Sequence, residues 1–204
     1  YEGHARFGLY QAFIDESNTE RGTQTFSKSE ANNWSSSKAI RAGISRAKFD
    51  VERLHLFIHK KYPPKTFLIL QQYLVLRFYS EFHWRSDIMS LRIKPLPGHN
   101  YINNGKIYMN KFKTAKKFEK RGLLPLVFTP SRPLANLLRK YILVRNKQDF
   151  DHKFLISNLK GKPFTKSFTN WFTSMTFKYV GKKLGTSMLR KIYITEFLKS
   201  NPSL

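Results

Sequence analysis

The chain has 204 residues, with 37 Lys and Arg against 13 Asp and Glu, for a formal charge of +24. That excess is too large for an ordinary solvated surface and points to a polyanionic partner. The 18 Phe, 10 Tyr and 3 Trp place the charge on a folded body rather than a disordered basic tail, and the absence of Cys excludes a disulfide framework and Cys-based zinc sites.

Residues 1–37 read as a tail or linker. The stretch DESNTERGTQTFSKSEANNWSSS is rich in Ser, Thr, Asn, Glu and Gly and has no apolar period. Trp34 is its exception and is expected to anchor the linker on the domain of residues 38–204. Ser35, Ser36 and Ser37 offer N-caps. From Lys38 to Lys61, Ile40, Ile44, Ala47, Val51, Leu54 and Ile58 recur at helical spacing. Pro63 and Pro64 end that helix. A second helix over 65–83 is apolar almost all round and is expected to be central. Ser86 or Asp87 can cap a short helix holding Ile88 and Leu91.

Pro95, Pro97 and Gly98 then change the pattern. The run YINNGKIYMNKFKTAKKF predicts short strands about an Asn103-Asn104-Gly105 turn, and LLPLVF predicts a third. SRPLANLLRKYILVRN predicts a helix with Pro133 near its first turn. FLISNLKGKPF reads as an extended segment and a Gly turn. TKSFTNWFTSMTFKYV reads as a helix whose apolar face includes Phe168, Trp171, Phe172 and Phe177. Gly181 and Gly185 bracket a basic loop before a last helix, TSMLRKIYITEFLKS. The expected class is mainly α with a small antiparallel β-sheet, α+β. The longest apolar run, KTFLILQQYLVLRFY, is broken by Gln71, Gln72 and Arg77 and falls short of the roughly 20 residues of a membrane span. Nothing at the start reads as a signal peptide.

Three cations stand in separate settings: Arg85 after a helix, Lys113 in a strand-like run, and Arg190 at the start of the last helix. Such a set can converge on one phosphate and stabilise a pentacovalent phosphoryl transition state without metal. Arginine offers a planar fork to non-bridging oxygens. Lysine can lose a proton, so Lys113 suits a general acid, although Lys106, Lys111, Lys116 and Lys117 compete for that role. Gly185-Thr186-Ser187 makes an anion-friendly helix start before Arg190. The run KFKTAKKFEKR is interleaved with aromatics and reads as a phosphate-backbone contact. Lys111, Lys116, Lys117, Lys162, Lys182, Lys183 and Lys191 are the expected DNA-binding side chains. Lys160 and Lys166 extend that surface.

RSDIMSL, FKTAKKFEKRGLLPLVF and TSMLRKIYITEFL, in that order, resemble the catalytic domain of tyrosine recombinases, the phage-type integrases. The resemblance covers roughly residues 40–204. Basic, divergent relatives of this kind occur in large DNA viruses, virophages and related mobile elements. Arg85 matches the arginine of the first box, Lys113 the sheet lysine, and Arg190 the arginine of the second box. Ser187 takes the place of the family's histidine, where it can hydrogen-bond a phosphate oxygen but cannot act as acid or base. The resemblance implies DNA cleavage and rejoining through a 3′-phosphotyrosine, in recombination or integration, with neither metal nor other cofactor. It implies double-stranded DNA as partner, a homotetramer at full length, and no membrane or small-molecule substrate. Location follows the target DNA inside the cell, the host nucleus or a viral factory if viral. The family's nucleophile follows the second box by a few tens of residues, so it is expected beyond Leu204, the chain being read as a piece of a longer protein that is inactive alone. Tyr193 lies too near Arg190 in sequence to attack the same phosphate and is expected to be core or wall, as is Tyr179. A structural role is expected of His83. His55 and His59 share an expected helix face but lack a third metal ligand. Two other activities fit the same residues: a type IB topoisomerase, and a non-enzymatic basic DNA-binding module.

Overall fold

The computed structural model describes residues 28–85 and 87–201. It joins helices to one three-stranded antiparallel sheet, an α+β arrangement. Helix α1, Lys28–Asn33, lies within the stretch expected to be a linker. Trp34 follows it, half-buried against the core. Ser36 caps α2, Ser37–Arg53, by accepting from the Ala39 N–H at 3.2 Å. Ile40, Gly43, Ala47 and Val51 face inward at helical spacing.

The expected continuation of α2 to Lys61 does not occur. His55 takes the left-handed conformation, with φ of 49°. The Tyr62 hydroxyl is shared between the carbonyls of His55, at 3.0 Å, and Ile58, at 3.2 Å. Those contacts satisfy backbone that a helix would have paired internally. Ile58 is consequently exposed, and His55 and His59 do not share a helix face.

Gly43 is where α2 approaches the end of helix α6, Phe168–Val180. A Cβ on Gly43 would lie 2.9 Å from the Tyr179 carbonyl oxygen and 2.9 Å from Val180 Cγ2. Arg46 Nε donates to the same carbonyl at 2.8 Å. Gly43→Ala should therefore destabilise the fold by about 1–3 kcal/mol through overpacking, even though alanine is the better helix former. Urea unfolding measures this, and a midpoint at or above wild type would contradict it.

Helix α3, Pro64–Tyr79, buries Phe67, Leu70, Gln71, Leu74, Val75, Leu76, Phe78 and Tyr79. It packs between α2 and helix α5, Arg132–Arg145, so it occupies the centre as its composition predicts. It stops at Tyr79 rather than residue 83. Ser80 Oγ donates to the Arg77 carbonyl at 2.7 Å and accepts from Arg77 Nη1 at 2.8 Å. Gln71, fully buried, accepts from the Ser157 N–H at 2.9 Å and donates to the Ser157 carbonyl at 2.8 Å. The Tyr141 hydroxyl reaches both Gln71 Oε1, at 3.2 Å, and the Leu155 carbonyl, at 3.0 Å. One amide thus fixes the extended segment 154–157 to α3 and α5.

Strands β1, Tyr101–Asn103, β2, Lys106–Met109, and β3, Leu126–Phe128, are ordered β1-β2-β3. Asn104 and Gly105 turn the first hairpin at φ of 47° and 73°, as a two-residue loop requires. Ile102, Ile107 and Met109 face the core. The expected strand through Lys113 is absent. Lys113 lies in a turn before the short helix α4, Ala115–Glu119. The ladder ends after Met109 because Asn100 Oδ1 takes the N–H groups of Asn110, at 2.8 Å, and Lys111, at 2.7 Å. Phe112 then contacts Phe118 with ring centroids 5.5 Å apart, across the turn.

Ser131 caps α5, accepting from the Leu134 N–H at 3.4 Å. In α6 the buried face is Phe168, Phe172, Met175, Thr176 and Tyr179. Trp171 is half-buried, but Phe177, expected on that face, is 55% exposed; the helical period turns it away from Met175 and Tyr179. Gly181 ends α6 at φ of 80°. Helix α7, Thr186–Ser200, starts at Gly185 and buries Met188, Leu189, Arg190, Ile192 and Ile194. Among the described residues no helix is long and apolar enough to cross a membrane.

Candidate functional site

Arg85 sits between two fixed points. Trp84 before it is buried, stacked on Phe82 at 4.9 Å and packed on Phe78 and on Phe128 of β3. Ile88 after it is fully buried in the 3-10 turn Asp87–Ser90, where a short helix is expected from sequence; the proposed cap Ser86 lies outside the described residues. The buried Tyr79 hydroxyl donates to the Arg85 carbonyl. Arg85 itself is half-buried. Arg190 is only 6% exposed, flanked in α7 by the buried Leu189 and Ile192. A guanidinium held that deep requires anionic or carbonyl neighbours.

Asp87 feels the charge of both arginines. Burial raises its pKa above the usual carboxylate range, while backbone hydrogen bonds and the charges of Arg85 and then Arg190 pull it down. Both guanidinium groups therefore act on one half-buried carboxylate. Tyr79 belongs to the same cluster: burial first, and the Asp87 charge second, hold its hydroxyl well above the ordinary range. Arg85 and Arg190 thus both exert an electrostatic pull on Asp87, which draws its titration down. Ser187 is exposed in the first turn of α7, three residues before Arg190. That spacing gives the two residues neighbouring places on the helix.

Lys113 is not drawn into this group. It is exposed, and among the described residues no hydrogen bond or ion pair connects it to Arg85, Asp87 or Arg190. What ties its segment to the site is Asn100. This 1%-exposed amide donates to Ser90 Oγ at 2.7 Å and to the Lys111 carbonyl at 2.6 Å. It joins the end of the Asp87–Ser90 turn to the start of the lysine-bearing connection. Sequence reading missed Asn100, since an Asn after Pro-Gly-His looks like any loop residue.

A second unanticipated contact joins the two arginine-bearing segments. The rings of His83 and Tyr193 stack with centroids 4.4 Å apart at 25°. His83 Nε2 and the Tyr193 hydroxyl are both buried without a hydrogen-bond partner among the described residues. Burial pushes the tyrosine up to about 12, with Arg41 and Arg77 opposing and Glu196 assisting. Tyr193 in this geometry is a wall residue rather than an exposed nucleophile. Tyr179 is buried in the α2–α6 contact, its hydroxyl donating to Asp50 at 3.1 Å.

Burial pushes the His83 imidazole from its ordinary 6.5 down to about 4. The unfolded chain therefore takes up a proton between those values before the native state does, so His83 lends stability above pH 6.5 that is lost as pH falls toward 4. His83→Phe keeps a ring against Tyr193 and should remove this share of the acid sensitivity. Melting temperature measured across that range should fall less steeply in the variant, and parallel curves would refute the assignment.

Six of the seven expected DNA-binding lysines fall in two groups, and Lys162 stands apart in the loop after Gly161. Lys111, Lys116 and Lys117 are exposed around α4. Lys182 and Lys183 are exposed in the Gly181–Gly185 loop, and Lys191 follows in α7. Several already have partners. Lys191 pairs with Glu30 of α1 at 2.8 Å, and Lys162 pairs with Asp151. Lys182 donates to the Asn32 carbonyl at 2.8 Å, and Lys183 lies over Phe177. Among the described residues no group of three or more His, Cys, Asp or Glu is placed to hold a metal ion.

Comparison with protein-family models, with curated proteins and with solved structures yields no match to this chain.

Proposed function

We propose that this chain is the catalytic core of a metal-independent DNA strand transferase of the tyrosine-recombinase type, acting in recombination or integration. The observation that supports it is that Arg85 and the buried Arg190, from distant parts of the chain, both act electrostatically on Asp87. A phosphodiester entering between them receives two guanidinium forks on its non-bridging oxygens. Asp87, already disposed to take a proton by its burial, gives up its charge as the phosphate arrives. A tyrosine hydroxyl loses its proton to solvent as it attacks phosphorus, the bond to the 5′-oxygen breaks, and a 3′-phosphotyrosine forms. The leaving oxygen takes a proton from Lys113, brought in with the DNA from its exposed turn. A 5′-hydroxyl of another strand reverses the step, so the bond energy is conserved. Ser187 hydrogen-bonds the phosphate at the helix start.

The protein as encoded by its gene, given nicked suicide duplexes from its own element, should form a covalent adduct that survives denaturant. Lys113→Ala should lose this activity and regain it on a 5′-bridging phosphorothiolate, whose sulfur departs without a proton. Strand exchange between duplexes separates a recombinase from a type IB topoisomerase. Duplex binding with no adduct on any such substrate would leave a non-enzymatic DNA-binding module, the reading that the separation of Lys113 from the arginines favours.

A further inference from the structure

The outward face of the sheet carries a continuous row of side chains that the catalytic proposal does not use. Tyr101 stands opposite Tyr108, and Tyr108 opposite Val127. Beyond β1, Arg92 bridges to Tyr101 on one side and to Phe154 on the other. Directly opposed residues project from the same face of a sheet, so Phe154, Arg92, Tyr101, Tyr108 and Val127 form one line. At roughly 4.8 Å per strand the line is about 19 Å long.

Its parts are held in place. The Tyr101 and Tyr108 rings stack at 4.8 Å and 12°. That separation matches the strand spacing, so the rings stand side by side. The Arg92 guanidinium lies 5.0 Å from the Phe154 ring centroid. Yet the row is unpartnered. The tyrosines do not belong to the residues packed on the core. Neither hydroxyl hydrogen-bonds to a described residue, and Arg92 Nε, though buried, has no acceptor. Among the described residues no carboxylate pairs with Arg92. Lys106, exposed, shares this face two residues from Tyr108.

We infer that this row is a contact surface for the phosphate backbone of duplex DNA. It offers fixed hydroxyl donors and cations without an internal anion. Tyrosine hydroxyls, arginine and lysine are the donors that phosphate oxygens take. An apolar protein partner would meet hydroxyls and a guanidinium, with Val127 the one aliphatic side chain of the row. At 3.4 Å per nucleotide along one strand, the line is as long as about five phosphates. The chain's charge of +24 supplies the complementary field. The inference rests on the polyanion part of the proposed function and not on its chemistry.

The test is anisotropy of a labelled random-sequence duplex, titrated at several salt concentrations. Arg92→Met, which keeps a side chain over Phe154, should lower the slope of log K against log salt by about one. The double variant Tyr101→Phe/Tyr108→Phe keeps the stack and loses two neutral donors. It should bind several-fold more weakly at an unchanged slope. Lys106→Met, at an exposed hairpin position, should lower the slope like Arg92→Met and stands in if that variant melts abnormally. Wild-type affinity and slope in normally melting variants would overturn the surface alone. Losses confined to single strands would overturn its assignment to duplex. A wild-type chain that ignores duplex DNA would overturn both this inference and the functional proposal.

Discussion

Arg190→Ala, made in the protein as encoded by its gene, should reduce DNA–protein adduct formation by roughly 10²–10³-fold, the usual cost of removing a transition-state donor, while duplex affinity changes little. Arg190 is 6% exposed and supplies one of the two side-chain charges that draw Asp87 down. On the proposed mechanism its loss removes a donor from the phosphate, and it also removes a charge acting on Asp87. The Asp87 pKa, already raised by burial, should rise further, which carbon-detected NMR titration can follow. Arg190→Lys separates charge from geometry, because an ammonium keeps the charge and loses the planar fork. It should retain most of the melting temperature and still lose most of the cleavage. Equal losses of binding and cleavage in both variants would reduce Arg190 to a DNA contact.

Gln71→Leu should be among the most destabilising single changes in the chain. Leucine fills a similar volume in α3 but makes no hydrogen bond. The Ser157 N–H and carbonyl, now paired with Gln71 at 2.9 and 2.8 Å, would be left buried and unpaired. At about 1–3 kcal/mol for each unsatisfied group, the loss is on the order of 3 kcal/mol. That is a large share of the roughly 5–15 kcal/mol by which domains are stable. For a chain of this size it corresponds to a fall of about 6–12 °C in melting temperature. A drop under a degree would mean that the segment 154–157 is held by its packing alone.

Much of the fold is legible because its determinants are local. Ser36 caps α2 and Ser131 caps α5 with side chains that reach three residues ahead. Asn104 and Gly105 tolerate the left-handed backbone that the hairpin demands. The misreadings involve distant partners. Ile58 continues the α2 period, yet the helix ends at Arg53, where Tyr62 holds the following turn. Phe177 is as apolar as Phe172, but only one faces the core. Lys113 follows a strand pattern that Asn100 cuts short from across the hairpin.

The site divides along the same line. Arg85 and Arg190 could be singled out because each opens or closes an apolar helical run. Their neighbour Asp87 reads in sequence as a cap and as the acidic residue two positions after Arg85, but the influence of Arg190 on it comes only with the fold. The His83–Tyr193 stack and the Asn100 bridge are likewise products of the folded chain, and no local pattern announces them.

Internal ion pairs of basic side chains change how ionic strength should act on this molecule. Lys191 already holds Glu30, and Lys162 already holds Asp151. A nucleic acid reaching either lysine exchanges one counter-charge for another instead of liberating a condensed ion in full. Sodium chloride weakens the internal pairs along with the external one. The number of ions released on association should therefore be smaller than the number of basic side chains at the interface, and Glu30→Gln should bring the two closer together.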